Sequence, residues 1–269
     1  MTVVALAGDW HGNRAFATGR IAALGARGIS TLLHLGDFGI WPGPTGKRYL
    51  LAVEGACAKS AVHILVTPGN HEDWGRLTHL WSLPNRRDSE GAMLPLRLTE
   101  HITVLPRGYR FEMEGVSFVS LGGAPSLDFD ERTAGRDWWP EEQIAEADVE
   151  RTVSGGYADL MLAHDAPDAP YQVDAVAAQI RYNPQGWPQR ALDYAAIGRR
   201  RMHDAFLGVA PRLFVHGHYH LAGEGAWTLP GRDYETRIWS LGSDGMATNV
   251  RLLDLATLDD PGWRPRRGA

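Results

Sequence analysis

A chain of 269 residues with 44% hydrophobic and 22% charged residues can bury a sizeable core, which excludes wholesale disorder and a fibrous protein. Its formal net charge of −5 excludes a broad basic coat for nucleic acid, although a local basic groove stays open. The single cysteine, Cys57, excludes an intrachain disulfide framework and a thiolate zinc site, so any metal must be held by imidazole, carboxylate or amide groups.

The opening stretch MTVVALAGDW lacks a basic segment, and its apolar run is too short for a signal peptide or a membrane span; a cytoplasmic protein without membrane contact is expected. TVVALAGD reads as a buried strand, residues 13 to 27 as a helix, TLLHLGD as a second strand, residues 46 to 59 as a second helix, and HILVTPGNH as a third strand. That order is a βαβ start. RFEMEGVSFVSLGG predicts a hairpin turning at Glu114-Gly115. Residues 140 to 152 open with Pro140-Glu141-Glu142, a favourable first helical turn. DLMLAHDAP then predicts a strand, residues 189 to 207 a helix, RLFVHGH a strand, and Ala226 to Leu255 a series of short strands with glycine turns. The chain shows no internal repeat. It is read as one domain over 1–255, with insertions near 122–142 and 167–190 and a tail over 256–269 that ends DDPGWRPRRGA.

Residues 216 to 220 read HGHYH, a density of imidazole that is either a metal site or a chance cluster at a strand end. A catalytic metal needs further donors from elsewhere in the chain. They stand at the ends of the other apolar runs: Asp9 and His11, Asp37, Asn70 and His71, and His164. Taken singly, Asp9 can be a helix cap, Asn70 a turn residue and His164 a core histidine. Taken together, with glycine beside most of them, they form a set that strand ends in an open α/β sheet can bring to one point.

The ordered series GDWHGN, GDFG, GNHED, AHD and GHYH resembles the calcineurin-like metallophosphoesterases, whose pattern runs D-x-H, G-D, G-N-H-[ED], H and G-H-x-H. The anchors span residues 8 to 220. The resemblance implies an α/β fold of four layers, an α/β/β/α sandwich of two mixed β-sheets flanked by helices, with a binuclear metal site at the strand ends. Carried onto matching positions, it implies that Asp9, His11 and His220 hold one metal, that Asn70, His164 and His218 hold the other, and that Asp37 bridges them. It further implies a phosphoester hydrolase in which a hydroxide shared by the two cations attacks phosphorus. His71 then protonates the leaving oxygen, with a carboxylate such as Asp37 keeping its ring oriented and charged. Donors without sulfur suit divalent transition-metal ions, manganese first, with iron, zinc, cobalt or nickel as alternatives.

His34 and His216, which precede motif glycines, are expected to be core or supporting histidines; His63, His79, His101 and His203 show no partner pattern. Arg199, Arg200 and Arg201 are expected on a solvated helix face. The chain departs from the protein Ser/Thr phosphatases and diadenosine tetraphosphate hydrolases of the family it resembles, which carry an Arg soon after the second motif, in G-D-x-x-D-R-G, where this chain reads GDFGIWPGP. Their phosphate-gripping arginine is missing, and Arg132 and Arg136 are the candidates to replace it. The neighbouring Trp138-Trp139 pair either stacks on a base or aryl group or packs the following helix onto the core. The expected substrate is a small phosphorylated molecule, with a phosphomonoesterase first, a phosphodiesterase or nuclease second, and a non-catalytic metal-binding scaffold as the reading from another class. Net acidity counts against long nucleic acid.

Overall fold

The computed structural model describes residues 2–262, so the last seven residues of the expected tail lie outside the described residues. The first half of the chain runs β1 (Val3–Ala7), α1 (Arg14–Gly25), β2 (Thr31–His34), α2 (Gly43–Ser60), β3 (His63–Val66), α3 (Trp74–Ser82), β4 (Leu96–Arg97) and β5 (Ile102–Val104). The second half runs β6 (Tyr109–Met113), β7 (Val116–Leu121), α4 (Glu146–Ser154), β8 (Leu160–Ala163), α5 (Asp174–Tyr182), α6 (Gln189–Val209), β9 (Leu213–His216), β10 (Gly223–Thr228), β11 (Glu235–Ser240) and β12 (Val250–Asp254). These strands form two six-stranded sheets, in the orders β12-β1-β2-β3-β5-β4 and β10-β11-β9-β8-β7-β6. In each sheet four parallel strands lie between antiparallel edge strands.

Alternation along the strands divides the core into three apolar layers. Val4 and Leu6 of β1 join Leu33, Phe118, Leu160, Leu162, Leu213 and Val215 in a layer shared by both sheets. Ala5 and Ala7 instead join Ile21, Leu24, Val53 and Leu77 from α1, α2 and α3. Val119, Met161 and Phe214 join Met202 and Phe206 of α6. The result is a four-layer α/β/β/α arrangement. Strands buried on both faces must be apolar along their whole length, which is why they read as continuous runs. Among the described residues no helix is long and apolar enough to cross a membrane.

Two expectations need correction. The helix expected over 140–152 is two pieces: Pro140–Glu142 is a separate 3₁₀ turn and α4 starts only at Glu146. Pro140 does sit in a first turn, but that turn stops at Gln143, which is extended at ψ 135°. The arginine run is not a solvated face. Arg201 donates to Gln143 Oε1 at 3.0 Å and Ile144 O at 2.8 Å, Arg199 approaches Asp168 Oδ1 at 3.6 Å, and only Arg200 stays exposed. His101, which showed no partner pattern in the sequence, has a structural role: it pairs through Nδ1 with Glu54 Oε1 at 2.7 Å and lies beside His63, ring centroids 4.7 Å apart. The residues after β12 turn back on the sheet, where Asp260 Oδ2 accepts from Arg251 Nε at 2.9 Å.

Phe118 lies in the layer between the sheets with no exposed surface and stacks on Phe111 at 4.8 Å between ring centroids. Phe118→Ala is therefore expected to cost about 3–5 kcal/mol in chemical denaturation, whereas Leu51→Ala on the exposed side of α2 should stay within about 0.5 kcal/mol.

Candidate metal centre

The carboxyl ends of β1, β2, β3, β8 and β9 are followed by Asp9 and His11, Asp37, Asn70 and His71, His164, and His218 and His220. All eight side chains come together beyond those ends. Asp9, His11, Asp37, His218 and His220 adopt left-handed backbone, with φ between 44° and 69°. For non-glycine residues that conformation costs on the order of 1–2 kcal/mol each, so the surrounding contacts must impose it. Gly69 and Gly217 make the approach possible: a Cβ on Gly69 would collide with Asp37 Oδ1, and one on Gly217 with Asp9 Oδ2.

Asp37 lies at the centre. Its Oδ2 is 3.3 Å from His11 Nε2 and 3.8 Å from His71 Nε2, and its Oδ1 is 3.4 Å from His164 Nε2. On one side His220 Nε2 stands 3.6 Å from Asp9 Oδ1, and donor atoms of Asp9, His11, Asp37 and His220 all lie within 4.8 Å of one another. On the other side Asn70 Oδ1 is 2.9 Å from His164 Nε2 and 3.1 Å from His218 Nδ1. Two donors bound to one transition-metal ion at about 2.0–2.2 Å stand roughly 3–3.6 Å apart when adjacent in its coordination shell. These separations, and a donor set of imidazole, carboxylate and one amide oxygen, fit the coordination distances of divalent transition-metal ions.

The electrostatics point the same way. Burial pushes Asp9 up to about 7. Burial also works against charge on Asp37, yet His71 and His164 beside it hold its carboxyl well below the usual range. Burial disfavours charge on His11 and His164, but hydrogen bonding and charge from Asp37 raise them to about 9 and about 10. His218 and His220 are lowered by burial and by cationic neighbours, His220 to about 4, which leaves their lone pairs free. Two buried carboxylates at one point require compensating positive charge.

Other residues hold these groups in place. Glu72 is fully buried, and its carboxylate accepts from the backbone N–H groups of Asp37 at 3.1 Å, Phe38 at 2.8 Å and Gly39 at 3.1 Å, and from Gly69. It ties the turn after β2 to the turn after β3. Asn249 donates to Gly8 O and Gly242 O and accepts from Trp10 Nε1, which braces the turn after β1. Asp244 accepts from Asn13 Nδ2 at 2.7 Å and stands 3.7 Å from His11 Nδ1. Of these, Glu72 was visible in GNHED without an assigned role; Asp244 and Asn249 stand in loops whose neighbours in sequence give no signal. His34 and His216 are fully buried, in keeping with the expectation of core or supporting histidines.

His71 donates its backbone N–H to Asp37 Oδ1 at 2.9 Å, so Asp37 orients it through the main chain rather than through the ring. The ring Nε2 faces Arg132 Nη2 at 3.2 Å, and Arg132 pairs with Asp128 at 2.8 Å. Arg132 and Arg136 both line a cavity of about 650 Å³ together with His71, Trp41 and Trp139. Trp138 and Trp139 divide the two expected roles. Trp138 packs near Phe129 and donates to Glu142 at 3.0 Å, whereas Trp139 packs against the core and also borders the cavity.

The family model for calcineurin-like phosphoesterases matches residues 2–222. No curated protein matches the sequence significantly. The fold is similar to that of the protein TT1561 of Thermus thermophilus, at 12% identity and TM-score 0.58, over 98% of this chain and 99% of that one. It is also similar to a dimetal phosphatase from Danio rerio, at 11% identity and TM-score 0.52, over 93% of this chain and 91% of that one.

Glu72→Gln keeps the shape of the side chain but turns an amide NH₂ toward two backbone N–H groups, whichever way it is flipped. The variant is expected to lose about 2–4 kcal/mol of stability in urea unfolding. An unchanged midpoint would show that these N–H groups do not depend on the carboxylate.

Proposed function

The chain belongs to the calcineurin-like phosphoesterase family, a family of phosphoric ester hydrolases, and from that premise we propose that it hydrolyses a phosphate monoester at a two-cation site. The observation that carries the reading is the placement of Asp37, whose two oxygens face imidazoles from three separate strand ends. Asp9, His11 and His220 would hold one ion, Asn70, His164 and His218 the other, and Asp37 both. Two divalent transition-metal ions, manganese first among them, would supply a water of lowered pKa and positive charge for the phosphate oxygens. The phosphoesterase unit is taken as residues 1–255.

His71 is the proposed proton donor to the leaving oxygen. A guanidinium has no acceptor atom, so an Nε2 that faces Arg132 must present its lone pair, which places the ring proton on Nδ1. To donate from Nε2 the ring must exchange Arg132 for a proton. Arg132 can release it by turning its fork onto the substrate phosphate, a better partner than a neutral ring nitrogen. The same movement would neutralise phosphate charge and free His71 for the leaving group. Arg136, exposed at the cavity rim, is placed to contact the same substrate.

The cavity beside His71 has room for the alcohol part of the ester, and its two tryptophans support a nucleotide or diester as the second reading. A scaffold role is disfavoured because a group placed to move a proton beside the donor cluster serves no purpose in holding cations.

His71→Asn tests the proton-donor role. It should keep both ions, and turnover of an alkyl phosphate should fall about 10²- to 10⁴-fold while a nitrophenyl phosphate, whose leaving group departs without a proton, loses distinctly less. Equal losses on the two substrates with metal content intact would leave His71 as a charge-stabilising or positioning group. Turnover of the nitrophenyl diester alone, without the monoester, would replace the monoesterase reading by the second one.

A further inference from the structure

Metal coordination by an asparagine depends on which side of its amide faces the ion. The oxygen and nitrogen sides are nearly equal in shape, yet only the oxygen can bind a cation; the NH₂ group presents two hydrogens to it. Asn70 is buried, with 3% of its surface exposed, and its Nδ2 donates to Ser126 Oγ at 2.8 Å. Ser126 is also buried, at 1% exposed, and its Oγ donates to Glu142 Oε2 at 2.8 Å. Glu142 has no exposed surface, and its Oε1 accepts from Ser126 N at 2.6 Å and Trp138 Nε1 at 3.0 Å.

We propose that Ser126 and Glu142 are positioning residues that fix the Asn70 amide with its oxygen toward His164 and His218, an inference that rests on the two-cation reading. A serine hydroxyl alone cannot choose, because it can accept from an amide nitrogen or donate to an amide oxygen with equal ease. An ionised carboxylate only accepts. Glu142 therefore takes the hydroxyl hydrogen and leaves the lone pairs of Ser126 for Asn70 Nδ2. Its other oxygen is occupied by Ser126 N and Trp138 Nε1, so the carboxylate cannot rotate away without stranding buried donors. Hydrogen donation thus runs in one direction, from amide to hydroxyl to carboxylate, and ends with Asn70 Oδ1 facing the metal centre.

Glu142 also connects this orientation to the segment that carries Arg132. Residues 122–145 lead from β7 to α4, and the buried Arg107 pins them by donating to Gly122 O at 2.9 Å, Glu142 O at 2.7 Å and Asp148 Oδ2 at 3.0 Å. The loop that presents Arg132 to His71 and the loop that presents the Asn70 amide are thus joined through one buried carboxylate.

The test is calorimetric titration of the chelator-treated full chain with Mn²⁺ at pH 8, above the value of about 7 to which burial raises Glu142. Wild type should bind two ions. Glu142→Gln has the same shape, but it can donate to Ser126 Oγ, which frees the serine hydrogen to compete for Asn70 Oδ1. It should lose about 10- to 100-fold in affinity for one ion, with the other unchanged within about threefold. Ser126→Ala should weaken that same ion by about tenfold, and in the Ser126→Ala background Glu142→Gln should have no further effect, because no hydroxyl remains to misdirect. If Glu142→Gln does not fold, as judged by thermal denaturation, the Ser126→Ala titration carries the test alone. Two ions bound by each variant with wild-type affinity would overturn the relay, as would equal weakening of both ions or a Glu142→Gln effect that persists without Ser126. A wild-type chain that binds fewer than two ions overturns the two-cation reading itself, and the relay with it.

Discussion

The buried carboxylate of Asp37 is the contact on which the site depends. It is 1% exposed, and it receives a backbone N–H from His71 while facing three imidazoles. A lone carboxylate in such a place is expensive; it stays ionised because His11 and His164 supply positive charge beside it. The imidazoles that carry the compensating charge, His11 and His164, come from the turns after β1 and β8, and the backbone N–H of His71 adds the turn after β3. Glu72, equally buried, then fixes the backbone of the turn that carries Asp37. Two negative groups hold the centre, one facing the donors and the other facing the chain behind them.

The fold supplies the convergence. Parallel strands place their carboxyl ends on one side of each sheet, and two sheets packed face to face bring both sets of ends to a single rim. Left-handed backbone at Asp9, His11, Asp37, His218 and His220 aims the side chains inward at the cost of local strain. The apolar layer between the sheets, from Val4 and Leu6 to Phe118 and Leu162, provides the stability against which that strain is set.

The strands and the polar groups at their ends were legible because each buried parallel strand is a short continuous apolar run that stops at a polar residue. TVVALAGD and RLFVHGH carry both the element and the donor in one segment. The supporting residues were not legible, since their meaning arises from pairing across the chain. Ser126 and Glu142 lie 56 and 72 positions after Asn70, and although the segment 122–142 stood out as an insertion with candidate arginines, neither of these two residues carried a signal of its own. Helical periodicity likewise left Arg199 and Arg201 on a solvent face, when their partners Asp168 and Gln143 come from loops that cross the helix. The separate turn at Pro140 was hidden because a proline opens a 3₁₀ turn and an α-helix equally well. Arg132 was visible only as a replacement for an absent arginine; its contact with His71 belongs to the folded loop.

The central claim is that these donors form two cation sites sharing Asp37, and elemental analysis of protein purified without chelator measures it most directly. Up to two transition-metal ions per chain are expected, with loss of phosphoester hydrolysis when a chelator removes them and recovery when Mn²⁺ or a similar ion returns. Full hydrolysis by protein free of metal would contradict it.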